Sequence, residues 1–476
     1  MSQTNVPAVK KAPLIQKIAY GFGDMSSSMF WKIFTAYLPF FYSTIFGLSL
    51  VDATYLMLIT RIWDAVSDPM MGIIADRTST RWGKYRPYLL WIAIPFAIVG
   101  VLLFTTPDFS YEGKRIWAYV TYILMMTVYT AINVPYGAML GVVTDDSDEK
   151  TVFSSFRMFF AYAGSFVVLA AWEPLCKAFN TMRGIDTSVN DATSWQYAMI
   201  VVAACCVVLF ILTFIFTREN VKTEPKKTSV VSDLGSLFKN APWWILLGGV
   251  LFFNFFNAVR YTAGPFFFAN VVGDGAQLKI FSTEFLFYAG IFFAVGEVAN
   301  MAGVAMTPFI TGKIGKKTTF MSCLVLLIVL SSAFFFVPLT SAGYWMMMVL
   351  QVLISILTGI ISPLVWSMYA DIADYAELKF KTVSTGLIFS SSSMAQKFGG
   401  AIGGSAVTAI LAAVGFSTEA GAVQTESALI WVRALMSFVP AAVALISLLF
   451  LLFYPLTTRK MNSIQAELEK QRNDNC

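Results

Sequence analysis

Apolar runs of about twenty residues or more recur along the whole 476-residue chain, and nothing else constrains its fold as strongly. A helix rises 1.5 Å per residue, so about twenty such residues cross the ~30 Å hydrocarbon layer of a bilayer. With 57% of residues hydrophobic and 13% charged, a soluble globule could not cover what these runs would expose. In lipid, backbone groups must be satisfied internally, and long runs without strand-like alternation predict helices rather than a barrel. The expected fold class is an all-α membrane protein.

The runs place spans at roughly 20–45, 52–75, 87–106, 116–143, 152–172, 196–217, 241–272, 282–311, 318–338, 342–370, 384–415 and 428–455. Twelve transmembrane helices follow, divided by the polar stretch TRENVKTEPKKTSVVSDLGSLFKN. The expected organisation is an N-terminal six-helix bundle at 1–217, a cytoplasmic linker at 218–240, a C-terminal six-helix bundle at 241–456 and a cytoplasmic tail at 457–476. The halves repeat their punctuation: ADRTSTRWGKYRP after span two answers TGKIGKKTTF after span eight, and acidic VTDDSDEK after span four answers ADIADYAELK after span ten. Such matching predicts a duplicated unit and two pseudo-symmetric bundles.

Basic residues sit in alternate loops: Lys10, Lys11 and Lys17 before span one, Arg77, Arg81, Lys84 and Arg86 after span two, Lys222, Lys226 and Lys227 after span six, and Lys313, Lys316 and Lys317 after span eight. The positive-inside rule then puts both termini in the cytoplasm, and the net charge of +5 reads as topology rather than nucleic-acid binding. The start MSQTNVPAVKKAPLIQK lacks the apolar core and small-residue site of a removable signal peptide. The chain has no histidine, and its five cysteines show neither metal spacing nor a paired framework, so zinc chemistry and histidine catalysis have little to work with. No enzyme is expected.

Several spans carry charges that lipid penalises by roughly 2.5–3.5 kcal/mol each on insertion scales. They are Arg61, Asp64 and Asp68 in span two, Arg157 in span five, Arg260 in span seven, Glu297 in span eight and Lys397 in span eleven. In RIWDAVSDPM, Asp64 and Asp68 are four residues apart and project from one helix face. Two such carboxylates resist joint ionisation unless positive charge lies beside them. Either Arg61 or another base completes a static ion-pair network, or the acids, with hydroxyls such as Ser67 and Thr130, form an oxygen cage for a small cation or carry a proton. Pro69 frees a backbone carbonyl nearby.

Span four contributes Tyr129, Thr130 and Asn133 at helical spacing, with Pro135 and Gly137 permitting a bend; interhelical glue explains such residues equally well. In GLIFSSSSMAQKFGG the small residues read as close helix approach, whereas Lys397 needs a carboxylate or a wet cavity. Most aromatics read as packing, although Tyr129 and Trp366, beside polar groups, could stack on a flat ligand face.

RIWDAVSDPMMG, ADRTSTRWGKYRPYL, VYTAINVPYGAML and ADIADYAELK, with YGFGD opening span one and FYPLT closing span twelve, resemble the glycoside–pentoside–hexuronide:cation symporter family over nearly the whole chain. The resemblance implies the major facilitator fold and import of a glycoside, pentoside or hexuronide by symport with Na+ or H+, Li+ being a further candidate. It implies a cation site at Asp64, Asp68, Ser67 and Thr130, with the two acids as metal ligands if sodium is coupled. Ser28, Tyr129, Asn133, Arg157, Arg260, Trp366 and Lys397 are the expected substrate-binding residues. Asp371, Asp374 and Glu377 match an acidic cytoplasmic gate, with Arg77, Arg81, Lys84 and Arg86 as basic partners. The partners implied are the sugar, the monovalent cation and the lipid bilayer of a bacterial inner membrane; no other cofactor is expected, and the monomer is expected to be the working unit.

The chain departs from the melibiose permease of that family where Ser27, Ser28 and Asn133 replace sugar-binding charges, and where Gly137 replaces a tryptophan. Melibiose itself is therefore not expected. Asn133 and Arg260 look more like members carrying pentosides or glucuronides, and Arg157, Arg260 and Lys397 together could attract a uronate. Rivals are a cation-coupled lysophospholipid carrier of the same fold, a sugar sensor that binds without transport and, more remotely, a magnesium-dependent prenyltransferase, whose two Asp clusters would have to share one level although Asp145 lies in a loop.

Overall fold

A computed structural model of the chain describes residues 12–144, 147–220, 237–273, 276–280, 283–380, 385–419 and 422–474. The central linker from 221 to 236 and Asp145 lie outside these residues, as does the side chain of Arg61. The first half runs through α1 (Leu14–Ala36), a short α2 (Leu38–Phe40), α3 (Leu50–Arg77), α4 (Arg86–Trp91), α5 (Ala93–Leu103), α6 (Tyr111–Val143), α7 (Ser147–Met182) and α8 (Ala192–Phe216). The second runs through α9 (Ala241–Phe267), α10 (Ala289–Ile314), α11 (Lys316–Phe334), α12 (Ser341–Phe380), α13 (Thr385–Ala413), α14 (Glu426–Leu435), α15 (Phe438–Leu452) and α16 (Thr458–Asp474). Among the described residues, eight helical segments are long and apolar enough to cross a membrane, the last of them α14 and α15 taken together. Their outward faces carry exposed Ile116, Val120, Val208, Phe309 and Val329, as a lipid-facing surface requires.

Local chemistry explains where the rods begin and break. Ser110, Asp191, Asn240 and Thr425 cap α6, α8, α9 and α14 by accepting from backbone N–H groups of the first turn. Spans three and twelve are each two helices, α4–α5 and α14–α15, and each second helix has a proline early in its length, Pro95 and Pro440. A proline has no N–H for the carbonyl four residues back, which loosens the turn before it. Span eight begins later than the expected 282, because a hairpin of β1 (Gln277–Ile280) and β2 (Thr283–Leu286) precedes α10; among the described residues the other regular elements are helices. Span ten runs past 370 to Phe380, so Asp371, Asp374 and Glu377 ride on one continuous helix. The expected tail is α16, which buries Met461 and Ile464.

Packing divides the chain differently from sequence order. One compact unit comprises Met1–Lys32 and Ile62–Lys226, the other Ile33–Arg61 and Lys227–Cys476, so the boundary passes through α1 and α3. Within the second unit, Thr262 donates to the Thr35 carbonyl at 3.1 Å, the Thr54 and Thr408 hydroxyls share a hydrogen bond of 2.7 Å, and Phe40 meets Phe266 edge-on at 5.3 Å. A helix longer than 30 Å has different neighbours at its two ends, which a boundary drawn along the sequence cannot express.

The second unit is centred on Phe253, Phe320, Leu324, Ile361 and Met368, all buried. In the first unit, the buried rings of Tyr20 and Tyr136 stack at 5.0 Å, and each hydroxyl donates to the other's backbone carbonyl, at 3.3 and 2.6 Å. Gly23 makes this possible, since a Cβ there would lie 2.4 Å from the Tyr136 ring.

Candidate functional site

In the first unit, α3 and α6 bring the predicted cation residues together. Asp64, Ser67 and Thr130 are buried and Asp68 is half-buried. Thr130 donates its hydroxyl to Asp68 Oδ1 at 2.8 Å, joining α6 to α3, and one turn away Trp63 donates its ring N–H to Thr127 at 2.8 Å. Ser67 donates to the Asp64 carbonyl at 3.4 Å and Asn133 to the Tyr129 carbonyl at 3.1 Å, so both donor hydrogens stay on their own helices while their oxygens remain able to accept or ligate. The result is two carboxylates one helical turn apart on α3, with the Thr130 hydroxyl on Asp68 and Ser67 on the turn between them. That donor set suits a small hard cation or a proton.

Arg157 on α7 grips Asp24 on α1 with both arms of its fork, Nε to Oδ2 at 2.6 Å and a terminal nitrogen to Oδ1 at 3.3 Å, and lies over the Tyr136 ring at 5.0 Å. Both side chains keep part of their surface open, 27% for Arg157 and 19% for Asp24, so the pair can meet a polar ligand. Asp24 is a functional candidate missing from the sequence reading. Its signal was present as the acid of YGFGD, but nothing local links it to a base so far along the chain. Ser28 lies one turn further along α1, half-buried. Tyr129 faces Trp31 with ring centroids 5.2 Å apart.

In the second unit, Arg260 is buried, with 3% of its surface exposed. It donates to the Met436 carbonyl at 2.7 Å and to Gln351 Oε1 at 2.7 Å. The first partner follows from the break in span twelve, because Met436 is the residue whose carbonyl Pro440 cannot serve. Arg260 thus binds neutral oxygens and braces the α14–α15 junction. Trp366 and Lys397 are half-buried, and both engage neighbours.

Three of the gate residues, Asp371, Lys84 and Arg86, bond to partners within their own units. Asp371 accepts from Lys316 at 2.6 and 2.8 Å. Asp374 and Glu377 follow it along α12, half-buried. In the first unit, Arg77 and Arg81 are exposed, while the backbone N–H groups of Lys84, Tyr85 and Arg86 all point at the carboxylate of Glu219, at 2.7–2.8 Å. The Arg86 guanidinium turns inward to the carbonyls of Trp82 and Phe214; burial pushes its pKa below the usual arginine value, against the raising effect of Glu219. Glu219 was also missed, because only the fold carries the end of α8 to this loop.

Buried Asp64 and half-buried Asp68 on a membrane-spanning helix, with a partly open ion pair on α1 and α7, suit a multi-pass membrane transporter. A family model described as MFS/sugar transport protein matches residues 19–458, and the chain belongs to that family. It is 36% identical over 457 residues to YagG of Escherichia coli (strain K12), covering 96% of this chain and 95% of that one. It is 32% identical to the isoprimeverose transporter of Lactiplantibacillus pentosus, over 93% of this chain and 88% of the other. Among solved structures, a bacterial homologue of the human drug peptide transporters superposes with a TM-score of 0.68 at 14% identity, over 96% of this chain and all of that one. At that identity the likeness speaks for the major facilitator fold alone.

Proposed function

We propose that the chain imports a sugar by symport with a monovalent cation, Na+ or H+, across a bacterial inner membrane, with both termini in the cytoplasm. The observation that carries this reading is buried Asp64 beside half-buried Asp68 on α3, with Thr130 bonded to Asp68, in a member of a sugar transport family. Relatives named as an inner membrane symporter, an isoprimeverose transporter and a glucuronide carrier protein homolog support the substrate class. A bound cation offsets the carboxylate charge and organises α3 against α6, which raises sugar affinity. By linkage the sugar raises cation affinity by the same factor. Rocking of the two repeats about the site then carries both across, driven by the cation gradient.

The charge arrangement favours a neutral glycoside or pentoside over a uronate. Arg157 is already matched by Asp24, and Arg260 is buried among neutral acceptors. Asp24 and Arg157 then serve as charge-assisted acceptor and donor for sugar hydroxyls, together with Asn133 and the stacking face of Tyr129. Arg77, Arg81, Lys84 and Arg86 and the acids Asp371, Asp374 and Glu377 are the groups proposed to close the cytoplasmic side.

The test is uptake of labelled glycosides, pentosides, hexuronides and a lysophospholipid into vesicles, with sodium and proton gradients imposed separately. A neutral sugar should accumulate, and Asp64→Asn or Asp68→Asn should each abolish accumulation. Gradient-driven uptake of the lysolipid alone, or normal cation stimulation in either variant, overturns the reading.

A further inference from the structure

The second unit contains a buried acid that the symport scheme leaves without a task. Glu297 lies on α10, about 12 Å from the first residue of that helix at 1.5 Å per residue, and none of its surface is exposed. Tyr261 on α9 donates its hydroxyl to Glu297 Oε1 at 2.5 Å, and Asn300 donates its amide to Oε2 at 3.3 Å. On α12, Thr358 donates to Asn300 Oδ1 at 2.7 Å, which sets the amide so that its nitrogen faces the carboxylate. The same helix carries Gln351, which accepts from Arg260 and donates to Ser355 at 3.3 Å. Two directed hydrogen-bond chains, one from Arg260 and one ending on Glu297, therefore lie side by side on α12.

The frame around them is rigid. A Cβ on Gly303 would lie 2.2 Å from the Ile356 carbonyl oxygen, and one on Gly359 would lie 2.3 Å from that of Asn300, so α10 and α12 touch backbone to backbone. Carboxylate, amide and hydroxyl are thus held at fixed separations. Tyr261 is half-buried, with its ring 4.6 Å from Phe293, and so keeps part of its surface open where Glu297 keeps none.

We propose that Glu297 is a proton-binding site in the second unit, loaded through Tyr261 and separate from the cation site on α3. No sugar or metal ion reaches a carboxylate with no exposed surface, but a proton does, because a hydroxyl bonded to it passes one on. Tyr261 gives its proton to Glu297 and takes one from a hydronium ion, which leaves as water, so the net change is one proton bound from solution and one carboxylate neutralised. Neutral Glu297 carries an O–H where it previously only accepted, and it no longer needs both donors. The Tyr261 hydroxyl is then released from its bond to the carboxylate, so protonation of Glu297 loosens the link between α9 and α10.

Among the described residues, the titratable and charged groups on the helices packed around Glu297 are these. On α9 they are Tyr261 and Arg260, the latter acting through Gln351. On α12, the level of Glu297 is faced by Gln351, Ser355 and Thr358, with Asp371 further along and bonded to Lys316. Lys316 and Lys317 lie at the start of α11, and Lys397 lies on α13, which packs against α9 and α12.

The test uses the purified full chain in lipid nanodiscs and acid-minus-neutral infrared difference spectra. The wild type should show a protonated-carboxyl C=O band that is lost in Glu297→Gln and shifted in Tyr261→Phe, where the hydroxyl partner is gone. A band set unchanged by both variants overturns the proposal. Should Glu297→Gln not fold, Tyr261→Phe decides alone, and an unshifted band counts against it. In vesicles, Glu297→Gln should flatten the pH profile of sugar counterflow while Na+ or Li+ stimulation persists; an unaltered profile also overturns it. The inference rests on the symport reading only for this last measurement. If no sugar is carried, the infrared result still stands.

Discussion

Thr130 donates its hydroxyl to Asp68 Oδ1 at 2.8 Å, and in doing so joins α6 to the helix that carries both Asp64 and Asp68. The threonine oxygen keeps lone pairs for a ligand, so the same atom can fix Asp68 and coordinate a cation.

Thr130→Val should therefore weaken cation binding and leave cation-free sugar binding unchanged. A hydrogen bond to a charged group contributes about 1.5–3 kcal/mol, which corresponds to roughly 10- to 100-fold in the cation constant. Titrating the cation against sugar binding measures it, and an unaltered constant would remove Thr130 from the site.

Gly83 has a φ of +116°, and a Cβ there would lie 2.5 Å from the carboxyl carbon of Glu219. Gly83→Ala should destabilise the protein by on the order of 1–3 kcal/mol, through backbone strain and displacement of the carboxylate from its three N–H donors. Glu219→Ala should destabilise it too. The double variant should lose less than the sum, because both changes break one arrangement. Thermal melts in detergent report all three, and strict additivity would count against the cradle.

Gly359 and Gly312 offer a contrast. Gly359→Ala pushes a methyl group into the Asn300 carbonyl and should cost about 1–3 kcal/mol by overpacking. Gly312 on α10 has nothing within 4 Å of its would-be Cβ, so Gly312→Ala should be neutral or slightly stabilising. Equal melting temperatures for the two variants would contradict the close α10–α12 approach.

The loop between α7 and α8 should loosen in acid. Burial raises the Asp191 pKa, but the Ser194 N–H and hydroxyl and the Arg183 guanidinium outweigh it and bring the group below its ordinary value of 3.8. Asp186 is lowered by the Ser188 N–H and hydroxyl. A carboxylate with a lowered folded pKa stabilises fully above its unfolded value, and that stabilisation disappears as pH falls through the folded one. Protease nicking between Arg183 and Asp191 should rise below about pH 4. Asp191→Asn, which can still cap α8, should blunt that rise; an identical pH profile would argue against the assignment.

The legible part of this protein was whatever repeats locally. Apolar length announced the spans, and the four-residue spacing of Asp64 and Asp68 put both acids on one helix face before any packing was known. Thr130 was named through resemblance and polarity, and its bond to Asp68 shows α3 and α6 meeting at that level. Arg157 and Arg260 looked alike in the sequence, each a base in an apolar run. One is matched by Asp24 and the other braces a broken helix.

Sequence alone determined the membrane class and the facial pairing of the acids, because hydrophobic length and helical periodicity act over a few turns. Tertiary structure decided which charges are neutralised. The Arg157–Asp24 bond spans 133 residues and the Arg260–Met436 bond 176. Such partners depend on the rotation and depth of each helix against its neighbours, which are set by side-chain packing across the whole unit rather than by any stretch of the chain.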